Sequence, residues 1–332
     1  GPSAPGPSAP DAASAPAPEA APLPTLEDLR SASAPVEDAP ATRGWQGFIT
    51  RLTGRRIAPR PHPRELQERE FQARIRRPVD TSKNIVVVNL KGGAHKTTAS
   101  LMIAATLGLV RGGSVVAWDN NETRGTLGWR GHQADHHATA VDLLHDMDEL
   151  NSPGATVAQL DRYMRPQTQS QFDILASDDN PGSAAFVDAS AFDRLNDLLS
   201  RFYRMKVIDT GNNVRASNWL AAVESADQLV IISTIREDTF NAAAWMIDEL
   251  RATGYADKVD QAVTVLSQSS PKKVDPVLHK RLLQHFGAHT RAVHEVPFER
   301  QFVDGSTLDW SRISPATKNA WLAATASIVA GL

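Results

Sequence analysis

The chain has 332 residues, 35 basic and 38 acidic side chains, a formal net charge of −3, 41% hydrophobic residues and no cysteine. That gives one large domain or two small ones with enough apolar chain to bury a core, and it excludes disulfides, cysteine nucleophiles, thiolate zinc sites and iron–sulfur clusters. No run of 18 apolar residues offers a membrane span and the first residues show no basic segment followed by an apolar one, so a soluble, cytoplasmic protein is expected.

Residues 1–42 are rich in Pro, Ala and Ser, with six acidic side chains and one basic. They carry too little apolar surface to offset chain entropy and are read as a disordered tail. Residues 43–83 then hold eleven basic and four acidic side chains, so the positive charge is concentrated in one short stretch. In it, Trp45, Phe48, Ile49 and Leu52 recur on one helical face, with Arg51, Arg55 and Arg56 on or beside it. A charged helical stretch follows from about Arg64 to Arg76. This basic helical arm, 43–80, has three open readings: packing on its own domain, docking a partner protein or nucleic acid, or lying in a membrane interface.

From Thr81 onward, strands alternate with helices. Asn84–Leu90 is a continuous β-branched run, the pattern of a parallel strand buried on both faces. Further strands are expected at 115–118, 172–176, 206–209, 228–233, 261–266 and 292–297. Helices are expected at 96–110, 189–202, 238–252 and 315–330. The alternation predicts an α/β domain, 81–332, with a mostly parallel sheet flanked by helices, and ligands beyond the carboxyl ends of the strands.

The turn after the first strand reads Lys91, Gly92, Gly93, Ala94, His95, Lys96, Thr97, Thr98. Small residues let a backbone close around phosphates, and a helix N-terminus presents free N–H groups. Lys96 is placed at the β- and γ-phosphates, and the Thr97 hydroxyl on Mg²⁺. His132, His136 and His137 near Asp135 offer a zinc reading that lacks any defined scaffold.

The turn resembles the deviant Walker A box of the ParA/MinD family, Lys-Gly-Gly-x-Gly-Lys-Thr-Thr, and the resemblance extends from about Asn84 to the C-terminus. It implies a P-loop NTPase that binds ATP and Mg²⁺ and hydrolyses the nucleotide. It also implies that Lys91 reaches across a nucleotide-sandwich homodimer to the partner's phosphates. Asp209, followed by Thr210-Gly211-Asn212, looks like the Walker B/switch II aspartate, and Asp119 like the first carboxylate of switch I. Gln268, Pro297 and Phe298 fall where the family contacts the base. Two positions depart from the pattern. His95 stands where the family has glycine. Asn121 stands where a second switch I carboxylate orients the attacking water, which slows hydrolysis unless Glu122 substitutes.

Members of that family place plasmids, chromosomes, division proteins or large complexes, with a ParB-like or other cargo-adaptor protein as stimulating partner. Lys272, Lys273, Lys280, Arg281 and Arg291 could supply a non-specific DNA surface, which implies nucleoid association. Residues 321–330 lack Lys and Arg and read as a packing helix rather than a membrane anchor. The arm from Arg43 to Gly54 resembles the segment preceding the ATPase domain in actinobacterial MinD/ParA-like proteins, some of them in plasmid or type VII secretion loci. Three functions therefore remain open: a positioning ATPase, a nucleotide-gated adaptor with little hydrolysis for a secretion or division complex, and a metabolic P-loop enzyme.

Overall fold

The structure, a computed structural model, describes residues 39–54, 56, 59–122, 125–178 and 187–332. The tail expected at 1–42 lies outside them up to residue 38, as does Arg55. The chain divides into two units, 1–62 and 63–332.

In the first unit, helix α1 (Gly44–Leu52) closes on a hydrogen bond from the Thr53 N–H to the Ile49 carbonyl. Its apolar face is open to solvent: Trp45, Phe48 and Leu52 are 67%, 64% and 73% exposed. Arg51 donates to the Thr42 carbonyl at 3.1 Å, and Arg56 is exposed.

The second unit is built on eight strands: β1 (Lys83–Val88), β2 (Val115–Asn120), β3 (Arg165–Gln167), β4 (Phe172–Leu175), β5 (Met205–Thr210), β6 (Gln228–Thr234), β7 (Val263–Ser267) and β8 (Ala292–Val296). Their order is β3-β4-β2-β5-β1-β6-β7-β8, and every pairing is parallel except β3 with β4. Three-residue β3 carries Pro166, which lacks an N–H and so suits an edge. The longer helices are α2 (Pro63–Ile75), α3 (Lys96–Arg111), α4 (Ala189–Phe202), α5 (Ser217–Ser225), α6 (Glu237–Ala252), α7 (Pro276–His289) and α8 (Pro315–Val329).

Both faces of the sheet are covered, which is why its strands read as unbroken apolar runs. Val86, Val88, Val116 and Trp118 face one core, with α4, α5 and α6. Ile85, Val87, Val115 and Ala117 face the other, with α3 and α8. Trp118 stacks on Phe192 of α4 with ring centroids 4.7 Å apart. Trp321, Ala324 and Ile328 of α8 are buried, so the C-terminal helix packs on the sheet. Helix α2 also belongs here. Ile75 at its end is buried in the α3/α8 core, and the Arg111 guanidinium donates to the Ile75 carbonyl at 2.5 Å. The stretch grouped by sequence with the arm at 43–80 is thus divided at residue 63. No helix among the described residues is long and apolar enough to cross a membrane.

Candidate functional site

The carboxyl ends of β1, β2 and β5 meet where the sheet order places β5 between the other two. Asn89, just past β1, fixes the departing chain. Its buried amide donates to the Ile232 carbonyl at 2.7 Å, and its oxygen accepts the Lys91 N–H at 2.9 Å. The chain then turns through Gly93 at φ 77° and His95 at φ 69° before α3 starts at Lys96. Left-handed backbone at the last position before the helix is a conformation that favours glycine, yet a histidine occupies it.

Lys96 is buried, and its ammonium donates to Asn212 Oδ1 at 2.5 Å and to the Lys91 carbonyl at 3.3 Å. Burial pushes its pKa down, against the pull of Asp209 and Glu122. Thr97 Oγ1 donates to Asp209 Oδ2 at 2.7 Å. Asp119 and Asp209 are register partners on β2 and β5, so two carboxylates lie side by side. Burial raises both. Asp209 reaches about 7, with the neighbouring Asp119 charge adding to the effect. Asp119 is held by the Asn121 amide at 2.6 Å and the Leu127 N–H at 3.2 Å. Asp209 Oδ1 is buried with no hydrogen-bond partner among the described residues. Two buried carboxylates, one with an unpaired oxygen, beside a threonine hydroxyl form an oxygen donor set for a hard divalent cation. Thr97, Asp119 and Asp209 thus fit Mg²⁺.

A cleft of about 600 Å³ opens beside these residues, lined by Gly92 to Thr98, Asn121, Thr126, Arg130, Arg236, Ser269 and Phe302 among others; Asp119 and Asp209 lie behind its lining. His95 fills its inner wall. Nδ1 lies 2.9 Å from Ser267 Oγ, and the ring meets Phe302 edge-on at 6.4 Å. Burial, then Arg130 and Arg236, lower its pKa to about 4, so the imidazole is neutral at physiological pH.

The remaining residues named from sequence are dispersed. Lys91 is exposed at the start of the loop and is not among the residues lining the cleft. Gln268, bonded through its N–H to the Val296 carbonyl, lines a neighbouring cavity of about 680 Å³ together with Lys272 and Lys273. Pro297 and Phe298 line neither; Ser269, Phe302 and Val303 occupy that side of the cleft. Lys280 is exposed on α7, and Arg281 pairs with Glu237 at 2.8 Å. Arg291 lies at the opposite end of the sheet, where it donates to Gln228 and to the Ser327 carbonyl. No group of three or more His, Asp or Glu able to hold a metal occurs among the described residues, His132, His136 and His137 included. Sequence reasoning missed Arg130 and Arg236. Arg130 ends a single helical turn, Leu127–Arg130, and Arg236 sits just before α6, and only the folded chain brings them to the same cleft.

This is the fold of the ParA/MinD ATPases. A ParA family ATPase from Chlorobium tepidum superposes with a TM-score of 0.59 at 16% identity, over 73% of this chain and 98% of that one. MinD from Pyrococcus horikoshii, solved with Mg-ADP, superposes with a TM-score of 0.53 at 17% identity, over 75% and 94%. No family model matches the chain. In sequence it is similar to the ESX-1 secretion-associated protein EspI of Mycobacterium tuberculosis, 28% identical over 295 residues, 86% of this chain and 42% of EspI. The chain therefore spans less than half the length of the curated relative it matches.

Proposed function

We propose that this chain is an ATP-dependent switch. It binds Mg-ATP in the 91–98 loop, closes as a nucleotide-sandwich homodimer, and releases on slow hydrolysis. One observation carries the reading: an unpaired, buried Asp209 oxygen beside Thr97 and Asp119, under a turn whose Lys96 ammonium is buried alongside. Lys96 holds the β- and γ-phosphates, and the backbone N–H groups opening α3 face the phosphates with the positive end of the helix dipole. Mg²⁺, held by Thr97 and the two aspartates, supplies charge neutralisation for phosphoryl transfer. Lys91, exposed and outside the cleft, is free to serve a second copy's phosphates.

As a positioning ATPase, the closed dimer would hold non-specific DNA through Lys272, Lys273 and Lys280, which are exposed. A ParB-like or cargo-adaptor protein would stimulate it. The likeness to EspI favours a second reading, a nucleotide-gated adaptor for a secretion complex. Sedimentation with ATP, ADP or no nucleotide, with and without duplex DNA, separates them. ATP-dependent doubling of mass together with DNA retention, both lost in Lys91→Ala, supports the positioning ATPase. Doubling without DNA retention supports the adaptor. No change with ATP contradicts both.

A further inference from the structure

We propose that Arg130 is a further nucleotide-binding residue, its guanidinium holding the α-phosphate, an inference that rests on the Mg-ATP reading of the cleft. In that reading Lys96 serves the β- and γ-phosphates, and Thr97 with the two aspartates serves the metal. The α-phosphate is the anionic group those residues leave unserved, and ATP and ADP both carry it.

Arg130 is set in place before any ligand arrives. It ends the helical turn Leu127–Arg130, and the hydroxyl of Thr126, which precedes that turn, lies 3.2 Å from the Thr97 hydroxyl at the start of α3. Arg165 pins the turn from β3, donating to the Gly128 carbonyl at 3.0 Å, and a Cβ on Gly128 would come within 2.5 Å of the same guanidinium. The Arg130 carbonyl accepts the Leu308 N–H at 2.8 Å, and Arg130 Nη2 donates to the Gln301 carbonyl at 2.7 Å, next to Phe302 of the cleft wall. Lys96 is tied instead to Asn212 and to the loop start at Lys91. The two cations are thus anchored to different walls of one cleft.

The Arg130 charge is unmet. Among the described residues it forms no ion pair. Asp304, the carboxylate that acts on it electrostatically, is exposed and already accepts from the Ser306 N–H and hydroxyl at 2.9 and 2.6 Å. Arg236, the other guanidinium of the cleft, differs in this respect, since Asp238 pairs with it at 2.9 Å. A half-buried cation without a counter-ion loses hydration that only an anion restores. Arg130 Nε is buried without a partner, but Nη1, also without one, is open to solvent, so the free edge of the guanidinium is the Nη end. Its planar fork of N–H donors matches phosphate oxygens.

The test compares wild type with Arg130→Gln and Arg130→Lys in the full chain. Calorimetry measures affinity for Mg-ATP, Mg-ADP and the two diastereomers of ADP carrying sulfur on the α-phosphorus. Arg130→Gln removes the charge and keeps a donor for the Gln301 carbonyl. It should weaken ATP and ADP by the same factor, at least tenfold. Arg130→Lys, which keeps the charge and loses the fork, should weaken both less. Wild type should prefer one sulfur diastereomer, and Arg130→Gln should bind the two alike. ATP and ADP affinities within threefold of wild type in Arg130→Gln would overturn the assignment, leaving Arg130 a brace for the Gln301 segment. A loss for ATP without one for ADP, or a diastereomer preference that survives in Arg130→Gln, would overturn it too. Failure of wild type to bind either nucleotide would instead remove the nucleotide reading itself, and this inference with it.

Discussion

His95 carries two opposing effects at one position. A non-glycine residue at φ 69° costs on the order of 1 kcal/mol in backbone strain. The half-buried imidazole returns part of that through Ser267 and Phe302. His95→Gly should therefore change stability by less than about 1 kcal/mol, whereas His95→Val, β-branched at positive φ, should cost about 2 kcal/mol; urea denaturation measures both. The carboxylate pair makes an equally specific demand. A Cβ on Gly125 would overlap both Asp119 oxygens, so Gly125→Ala must displace the aspartate. Asp209→Asn removes one of the two carboxylates of the candidate metal site. In calorimetric titrations of that variant, Mg²⁺ should improve ATP affinity less than threefold over EDTA, against at least tenfold for wild type.

Among the elements, β5 places a lysine where its neighbours place apolar side chains. Lys206 is buried, donating to Asn196 Oδ1 at 2.7 Å and to Ser200, and burial lowers its pKa to about 8. Below pH 8 both folded and unfolded chains keep the proton. Between about 8 and 10.5 the folded chain has released it and the unfolded chain has not, so stability rises with pH. The rise should reach about 2 kcal/mol from pH 8 to 10 in wild type and be missing in Lys206→Met, read from denaturation midpoints. On α2, Ile75→Ala should cost about 2–4 kcal/mol, since the side chain is buried in the α3/α8 core.

These elements differ in how visible they are before folding. The parallel strands are legible because two covered faces demand continuous β-branched runs, as in Ile85–Val88. Helix α7 carried its own start signal, Asp275 capping Val277 with Pro276 in the first turn, but its sparse buried residues, Leu282 and Phe286, weaken the periodicity. β3 has three residues and a proline, and nothing local announces it. Lys96 and Thr97 stand out in the sequence as a Lys-Thr pair opening a helix after a strand, whereas Asp119 and Asp209 stand out only through the family resemblance; the fold brings Thr97 to Asp209 and sets the two aspartates side by side. Arg130, Arg236 and Phe302 were not legible, because only the tertiary fold brings the segments at 130, 236 and 302 to one cleft.

For the whole molecule, the cleft opens beside an exposed basic side chain. The exposed Lys91 is the residue through which one copy would reach another. Sedimentation should show Lys91→Ala binding Mg-ATP near wild-type affinity while remaining monomeric. The open apolar face of α1 belongs to the first unit, and truncating residues 1–62 should leave Mg-ATP affinity within threefold of wild type, because every residue of the site lies in the second unit. The most direct measurement is a calorimetric titration of the folded full chain with Mg-ATP, beside Lys96→Ala. Saturable uptake of one nucleotide per chain, weakened at least thirtyfold in the variant, is the result expected. A well-folded wild type that takes up no Mg-ATP, or a Lys96→Ala variant that binds it equally well, would contradict the assignment.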